Sequence, residues 1–237
     1  MRQQKKYMLN KTIFKFDLGS LKELLNQVEW DEKDRCNLNK SIGHWLYDPY
    51  EICDKWKGTA FDRLLKQIPY DIGEARLMKL EPQTCYRAHS DADDRLHINI
   101  LSNEYSYLID LDNNMMYGLK EDGCLYYMDG AKMHTAVNFG STPRIQLVIR
   151  VLLKRSKRPD HVKTKITFVN PPYNLRYLID RRISPLINRY TKTGEIGFFD
   201  LLNANSLYFE ITPNVLDKIH LEAKNLQLET KIERIEE

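Results

Sequence analysis

The feature that most constrains the fold is a series of short apolar segments between residues 74 and 154. The segments read ARLMKL, RLHINIL, YSYLIDL, MMYGL, CLYYM, TAVNF and RIQLVIRVLL. They are rich in β-branched and aromatic residues, which favour strands. Turn-forming residues separate them, as in Asp112-Asn113-Asn114, Asp129-Gly130 and residues 140–143. About seven short strands at spacings near ten residues predict an antiparallel sandwich, jelly roll or barrel.

Helical patterns flank this region on both sides. SLKELLNQVEW and TAFDRLLKQI begin with the pattern of a capping box, Ser20 with Glu23 and Thr59 with Asp62. After residue 155, NPPYNLRYLIDRRISPLINRY and IGFFDLLNAN are typical of short helices, and a last helix is predicted from Thr212-Pro213. We expect a mainly β protein with flanking helices. Residues 1–73 would form an α/β flank, 74–154 the β core, and 155–237 a helical C-terminal subdomain or arm.

Composition excludes several classes of function. The 36 basic and 33 acidic residues give a net charge of only +3, which does not favour nucleic-acid binding. The four cysteines form no CxxC pair, so reduced thiols in an intracellular protein are expected. The N-terminus lacks the apolar core of a signal peptide, and no run approaches the roughly 18 to 20 apolar residues of a membrane span. These observations predict a soluble, cytoplasmic protein.

A cluster of ionisable residues in CYRAHSDADDRLHINI, residues 85–100, suggests a metal site. On a strand, His89 and Asp91 would point to the same face. His134, at the start of another predicted strand, is the candidate third ligand. Two imidazoles and one carboxylate that leave three coordination positions open are typical of non-haem Fe(II) oxygenases. The alternative is a surface pair in a loop, and Asp93 and Asp94 compete with Asp91 for the carboxylate role.

Arg144 indicates what the open positions of such a metal would bind. A 2-oxo acid chelates iron through its keto and carboxylate oxygens, and O2 then takes the remaining position. A second carboxylate at the far end of that acid needs a cationic partner, and the guanidinium of Arg144 matches it in shape. Gln146 shares a strand face with Arg144. Arg95 and His97 also alternate onto one face, where burial would be costly unless they bind an anion.

These residues belong to a longer pattern that resembles the aspartyl/asparaginyl β-hydroxylase family, which includes bacterial proline 3-hydroxylase-like enzymes. The family pattern is an R-L-x-x-L strand, then H-x-D, R-x-H, and H-[ST]-x-x-N-x-G followed by R-[IV]-x-L-V-I. The matching residues are Arg76, Leu77, Leu80, His89, Asp91, Arg95, His97, His134, Thr135, Asn138, Gly140, Arg144, Leu147, Val148 and Ile149. The resemblance covers residues 74 to 153, about a third of the chain.

The resemblance implies a double-stranded β-helix, the jelly roll of cupin-like proteins, that hydroxylates an unactivated C–H bond. Fe(II), 2-oxoglutarate and O2 would be required, and succinate and CO2 released. His89, Asp91 and His134 would be the iron ligands. The vertebrate member of the family lacks the carboxylate ligand, so Asp91 places this chain closer to the bacterial enzymes.

The resemblance also assigns the residues that would bind the co-substrate. Arg144 would bind the distal carboxylate of 2-oxoglutarate, and His97 would lie against its iron-side carboxylate. Arg95 would contact the co-substrate or the substrate. Gln146 stands where many family members have histidine, which alters one wall of the co-substrate pocket. For His97 and Arg95, a hydrogen-bonded core residue and an ion pair with Asp93 or Asp94 are the alternatives.

The expected substrate is an amino acid, either free or within a peptide. Two other functions remain open from the sequence: a cupin-type metal enzyme that does not use 2-oxoglutarate, and a non-enzymatic β-sandwich that binds a partner. Asn138 is expected to make structural hydrogen bonds near the site. Trp45, Tyr47, Tyr50 and Trp56 either pack or form a lid, with packing favoured. The sequence specifies neither the substrate nor the oligomeric state.

Overall fold

The computed structural model describes residues 7–235 and divides the chain into two compact units. The first unit comprises the chain up to Ala88 together with Asp93–Leu152. The second comprises His89–Ala92 together with the chain from Leu153 onward. Within residues 7–235, no helix is both long enough and apolar enough to cross a membrane.

The first unit is built mainly from short strands. They are β1 (Leu9–Lys15), β2 (Arg35–Asn37), β3 (Asn39–Ser41), β4 (Tyr50–Ile52), β5 (Ile72–Leu80), β6 (Thr84–Cys85), β7 (Arg95–Leu101), β8 (Ser106–Asp110), β9 (Met115–Gly118), β10 (Cys124–Met128), β11 (His134–Asn138) and β12 (Arg144–Val151). Two helices, α1 (Gly19–Glu23) and α2 (Ala60–Gln67), accompany them. Short 3-10 turns occupy Leu24–Gln27 and Asp54–Trp56.

The strand order identifies a jelly roll. One sheet has six strands in the order β1-β10-β7-β12-β5-β2, and the other has four in the order β6-β11-β8-β9. When β5 to β12 are counted as one to eight, the sheets read 1-8-3-6 and 2-7-4-5. This is the connectivity of two interlocked Greek keys, which defines the jelly roll. The predicted mainly β fold with a jelly-roll core is therefore confirmed, and all of the predicted strand segments are strands.

The central strands β7 and β12 of the six-stranded sheet are buried on both faces, and the two faces differ in chemistry. On one face, Leu147 and Ile149 of β12 join a core that also contains Leu21, Trp56 and Phe61 from the helices and turns. The other face carries Arg144, Gln146 and Val148 of β12, beside Asn99 and His97 of β7. Leu80 and Met128 of this face pack with Leu108 and Ala136 of the four-stranded sheet. Polar side chains on the inner face therefore lie between the two sheets.

Asn138 links the two sheets by hydrogen bonds. Its side-chain amide donates to the carbonyls of Leu80 at 3.0 Å and Thr142 at 2.9 Å. Its side-chain carbonyl accepts from the backbone N–H of Gly140 at 3.1 Å and from the amide of Asn103 at 3.1 Å. Asn138 is fully buried. The expectation that Asn138 makes structural hydrogen bonds is confirmed.

The second unit combines a four-stranded antiparallel sheet with helices. Its strands are β13 (Val162–Phe168), β14 (Ile196–Asn203), β15 (Ser206–Ile211) and β16 (Thr230–Arg234), in the order β14-β15-β13-β16. Its helices are α3 (Leu175–Leu178), α4 (Ser184–Lys192) and α5 (Pro213–Asn225), with a π-helical turn at Ile179–Ile183 between the first two. As predicted, Thr212 is the N-cap position of α5 and Pro213 begins the helix.

The predicted helical C-terminal subdomain or arm contains helices, but the prediction missed its four-stranded sheet. IGFFDLLNAN, expected to be a helix, contains strand β14, which pairs with β15. The segment VKTKITF, for which no strand was predicted, is strand β13 and buries Thr164, Ile166 and Phe168 alternately. Short apolar runs do not distinguish strands from helices by periodicity, and the pairing strands that decide are far along the chain.

The capping boxes predicted for the first two helices are also absent. Helix α1 begins at Gly19, so Ser20 lies inside the helix, and no side chain caps its N-terminus. Helix α2 has Thr59 at its N-cap position, again without a side-chain hydrogen bond. The carboxylate of Asp62 instead accepts from the backbone N–H of Gly58 at 2.9 Å. Packing of Leu21 and Phe61 into the core stabilises both helices without the caps.

We expect Asn138→Ala to lower the free energy of unfolding by about 3 kcal/mol, because it leaves several buried backbone groups without partners. Urea denaturation followed by circular dichroism measures the change. Asn26→Ala, at an exposed position, is the control and should change the free energy by less than about 0.5 kcal/mol. Equal effects of the two substitutions would contradict the role assigned to Asn138.

Candidate metal centre and anion site

His89, Asp91 and His134 lie close enough together to hold one metal ion. One ligand atom from each residue lies within 4.8 Å of the others. Protein ligands bind a transition metal at about 2.0–2.2 Å, so atoms that share an ion are at most about 4 Å apart. A bound ion would draw the three ligand atoms closer together than this separation. Asp91 supplies the carboxylate of this group.

The sequence suggested that His89 and Asp91 lie on one strand, but in the structure they do not. Residues 86–94 form the connection between β6 and β7, in which His89 lies in an isolated β-bridge rather than in a strand. Strand β7 begins later, at Arg95. The loop conformation, rather than the alternation of a strand, brings His89 and Asp91 together. The backbone N–H of Ser90, between them, donates to the carbonyl of Asp180 at 3.0 Å.

The position of His134 suits a metal ligand. It is the first residue of β11, opposite Asp110 of β8, and it is only 4% exposed. Its Nδ1 lies 2.8 Å from the backbone carbonyl of Lys132. A carbonyl can only accept, so Nδ1 donates in this contact, and Nε2 is the nitrogen that would bind a metal. Metal-bound histidines are commonly oriented by such a hydrogen bond.

Asp93 and Asp94, which competed with Asp91 for the carboxylate role, are occupied elsewhere. Asp93 forms ion pairs with Arg95 and, at 2.7 Å, with Arg150. Asp94 accepts hydrogen bonds from the hydroxyl of Tyr127 and the backbone N–H of Gly130. Both aspartates are buried. They anchor the connection to β7, next in sequence to the metal-binding group.

Arg144 is the most unusual buried residue of the first unit. It begins β12 opposite Leu80, and only 1% of its surface is exposed. Its Nε and Nη1 atoms are buried and have no hydrogen-bond partner among the residues that the structure describes. Burial lowers the pKa of Arg144 to about 10, although nearby Tyr86 opposes the shift. A buried guanidinium with two unsatisfied donors indicates an anion-binding site.

Gln146 and His97 form a hydrogen-bonded pair on the inner face. The amide nitrogen of Gln146 contacts Nδ1 of His97, and both side chains are buried. His97 therefore has the hydrogen-bonded position that the sequence left open as an alternative. The sequence could not reveal this partner, because the register of β7 against β12 decides it. Contact of His97 and Gln146 with a co-substrate stays a prediction.

Arg95 belongs to an ion-pair network at the other end of β7. It pairs with Asp93, and both residues are at most 4% exposed. The ion pair that the sequence left open is therefore present, and it is buried rather than at the surface. Arg150, opposite Arg95 in the register, extends the network to Glu74 at 3.0 Å. Arg95 as a contact for the co-substrate or substrate stays a prediction.

Two tryptophans of the N-terminal flank, Trp56 and Trp45, differ in burial. Trp56 is 1% exposed and packs edge-on against Phe61, with 5.3 Å between ring centroids. Trp45 is 42% exposed, and the guanidinium of Arg150 lies 4.4 Å from its ring centroid. Trp56 thus packs in the core, whereas Trp45 stacks on the ion-pair network.

Comparison with known proteins gives no family for the chain. No protein-family model matches it, and neither does any curated protein. A cupin domain from Bordetella pertussis is 14% identical over 36% of this chain and 86% of its own, with a TM-score of 0.30. A structure described as a predicted oxalate decarboxylase from Thermotoga maritima is 15% identical over 53% of this chain and 98% of its own, with a TM-score of 0.30.

A sugar phosphate isomerase of a cupin superfamily from Silicibacter pomeroyi is 12% identical over 57% of this chain and 85% of its own, with a TM-score of 0.29. Similarities this weak carry no argument about activity, and the fold assignment rests on the strand order described above. The resemblance to the aspartyl/asparaginyl β-hydroxylase family stays a prediction.

If His89, Asp91 and His134 form a metal site, Mn(II) should bind there and stabilise the protein. At a hundredfold excess over its dissociation constant, Mn(II) should raise the melting temperature by about 5 to 10 °C. His134→Ala should abolish this increase, whereas His220→Ala, at an exposed position, should retain it. Differential scanning fluorimetry measures both. An unchanged response in His134→Ala would exclude His134 as a ligand.

We expect the buried charge of Arg144 to lower the free energy of unfolding. The pKa of folded Arg144, about 10, lies below the ordinary 12.5, so folding disfavours its charged form. This cost is fully present below pH 10 and is relieved as the pH rises through the folded and then the unfolded pKa. At pH 7, Arg144→Met should therefore raise the free energy of unfolding by about 1 to 3 kcal/mol in urea denaturation without ligand.

Arg150→Met is the matched control, because Arg150 is paired with both Asp93 and Glu74. It should lower the free energy of unfolding, since the buried carboxylate of Asp93 and the half-buried carboxylate of Glu74 each lose one of their two arginine partners. Destabilisation of similar size in both variants would mean that Arg144 is satisfied in the folded protein.

Proposed function

We propose that this protein is an Fe(II)- and 2-oxoglutarate-dependent dioxygenase that hydroxylates a C–H bond of an amino acid, either free or within a peptide. His89, Asp91 and His134 would hold the iron, and Arg144 would bind the far carboxylate of 2-oxoglutarate. The observation that carries the proposal is the guanidinium of Arg144, buried with two nitrogen atoms that have no partner within residues 7–235.

The donor set fits an ion that must keep coordination positions open. Two imidazoles and one carboxylate fill three positions of an octahedron and leave three for ligands. When bound, Fe(II) with 2-oxoglutarate and O2 supplies the oxidising power that an unactivated C–H bond requires. The protein's own part is to hold the ligands in position. The hydrogen bond from His134 to the carbonyl of Lys132 orients one of them.

The position of Arg144 favours an elongated co-substrate. Asn138, at the end of β11, donates to the carbonyl of Leu80, and Leu80 is the register partner of Arg144. His134 is at the opposite end of β11, which corresponds to about 14 Å along a strand. A small chelating anion beside the metal would leave the guanidinium unsatisfied. A dicarboxylate such as 2-oxoglutarate would carry a second carboxylate away from the metal, where Arg144 would bind it.

The remaining residues of the inner face would complete the co-substrate site. Gln146 fixes the orientation of His97, which would lie against the iron-side carboxylate of 2-oxoglutarate. Arg95 is held by Asp93 and would contact the co-substrate or the substrate. Because Gln146, His97 and Arg95 are buried, a site that they line would exclude water from the reacting groups. The choice of an amino acid as substrate rests on the family resemblance of the sequence.

The proposal predicts succinate formation that depends on Fe(II), 2-oxoglutarate and O2. Protein reconstituted with Fe(II) under anaerobic conditions should release succinate after O2 is added, and a panel of amino acids and peptides should reveal substrates by increased release. Arg144→Gln should raise the KM for 2-oxoglutarate at least about 100-fold, because a buried charged hydrogen-bond pair is lost.

Arg63→Gln, at an exposed position of α2, is the control and should leave the KM unchanged. A wild-type KM for 2-oxoglutarate in Arg144→Gln would refute the assigned role of Arg144. Metal binding without any 2-oxoglutarate turnover across the panel would instead favour a cupin-type enzyme that uses another co-substrate, or none.

A further inference from the structure

Asn99 of β7 has a buried side chain whose carbonyl oxygen is unused. The residue is 1% exposed, and its amide nitrogen donates to the backbone carbonyl of Lys120 at 3.2 Å. A carbonyl can only accept, so this contact identifies the nitrogen end of the Asn99 amide. The other end, Oδ1, is buried and has no hydrogen-bond partner among the residues that the structure describes. Asn99 therefore presents an unused acceptor inside the first unit.

The register places Asn99 next to the strand that carries Arg144. Asn99 is the partner of Gln146, and Arg144 lies two residues before Gln146 on the same face of β12. The pairing shifts by one residue just past this point, so Ile100 has no partner in β12. Bulges of this kind redirect side chains and are frequent beside active sites. Asn99 and Arg144 are therefore neighbours on the inner face, on two adjacent strands.

Arg144 and Asn99 require opposite partners. Nε and Nη1 of Arg144 are unsatisfied donors and Oδ1 of Asn99 is an unsatisfied acceptor, yet within residues 7–235 they are not bonded to each other. At neutral pH, 2-oxoglutarate offers two carboxylates and a keto oxygen, which only accept hydrogen bonds. This co-substrate can satisfy Arg144 but not Asn99. The acceptor of Asn99 therefore needs a donor from a different molecule.

We propose that Asn99 is a substrate-binding residue whose Oδ1 accepts a hydrogen bond from an N–H of the substrate, either an ammonium or an amide. This inference rests on the proposed function, because it takes Arg144 as the partner of the co-substrate. It narrows the substrate to molecules that present an N–H to the inner face of β7. A carbonyl acceptor also disfavours a carboxylate at the same place, so Asn99 helps to keep substrate and co-substrate in separate positions.

The test compares compounds that differ only in the N–H, by isothermal titration calorimetry. The full-length protein is loaded with Fe(II) and 2-oxoglutarate under anaerobic conditions, so that nothing is consumed. Each standard amino acid is paired with the carboxylic acid that lacks its amino group. Each N-acetyl amino acid amide is paired with its N-methyl form, which has no N–H at that position.

The wild-type protein should bind its preferred N–H compound about 10- to 100-fold more tightly than the paired compound, because a buried hydrogen bond is lost. In Asn99→Leu this ratio should fall below about threefold, which isolates the interaction between Asn99 and the N–H. The affinity for 2-oxoglutarate should change by less than about threefold. If Asn99→Leu does not fold, Asn99→Ser, which keeps a hydroxyl donor but lacks Oδ1, takes its place.

Asn39 supplies the matched control. It is 4% exposed, its amide donates to the carbonyl of Gly73 at 2.9 Å, and its carbonyl accepts from the N–H of Ala75 at 2.7 Å. Both ends of this buried amide are satisfied within the protein, unlike those of Asn99. Asn39→Leu should lower the melting temperature but retain the wild-type preference for the N–H compound.

Two results would overturn the role of Asn99 alone: a wild-type N–H preference in the folded Asn99 variant, or equal loss of that preference in Asn39→Leu. Wild-type protein that binds 2-oxoglutarate but none of the N–H compounds would also overturn the inference and leave the co-substrate site standing. Wild-type protein that binds no 2-oxoglutarate would overturn the proposed function as well.

Discussion

Charged and polar side chains buried on the inner face of the six-stranded sheet are the constraint on which the rest of the molecule depends. Strand β12 lies between β5 and β7 and is covered on both faces, so Arg144 and Gln146 have little access to bulk water. A buried ionised group is costly unless a partner compensates it. Gln146 forms a hydrogen bond with His97, and Arg95 forms an ion pair with Asp93. Arg144 differs, because its buried Nε and Nη1 have no hydrogen-bond partner among the described residues, and this is why we propose that it binds an anionic co-substrate.

The jelly roll explains how a small site can be assembled from distant parts of the sequence. His134 begins β11 in one sheet, Arg144 begins β12 in the other, and the connection between β6 and β7 carries His89 and Asp91. Asn138 fixes the junction between the sheets through the carbonyls of Leu80 and Thr142. Rigid strands therefore hold His134 and Arg144, while buried carboxylates fix the connection beside Asp91. The buried guanidinium of Arg144 destabilises the fold, and the packing of the apolar core offsets that cost.

Most of the core strands could be predicted from the sequence, because each is a short apolar run ended by turn-forming residues. The pattern of the C-terminal region was less informative. Strand β13 has lysines at alternate positions, and β14 has an apolar run that suits either a strand or a helix. Pairing with β15, and for β13 also with β16, makes both of them strands. The capping boxes failed for a related reason, since the core contacts of Leu21 and Phe61 stabilise their helices without them.

The sequence by itself determined which residue types are available for chemistry and how they are spaced: His89 and Asp91, then His134, then Arg144 ten residues later. It also determined the order of the core strands along the chain. Tertiary structure alone decided that a loop brings His89 and Asp91 near His134, that Asp93 is bound by two arginines, and that Arg144 is buried with unsatisfied donors. The physical reason is that periodicity and turn residues are local properties, whereas burial and pairing depend on strands that meet only after folding.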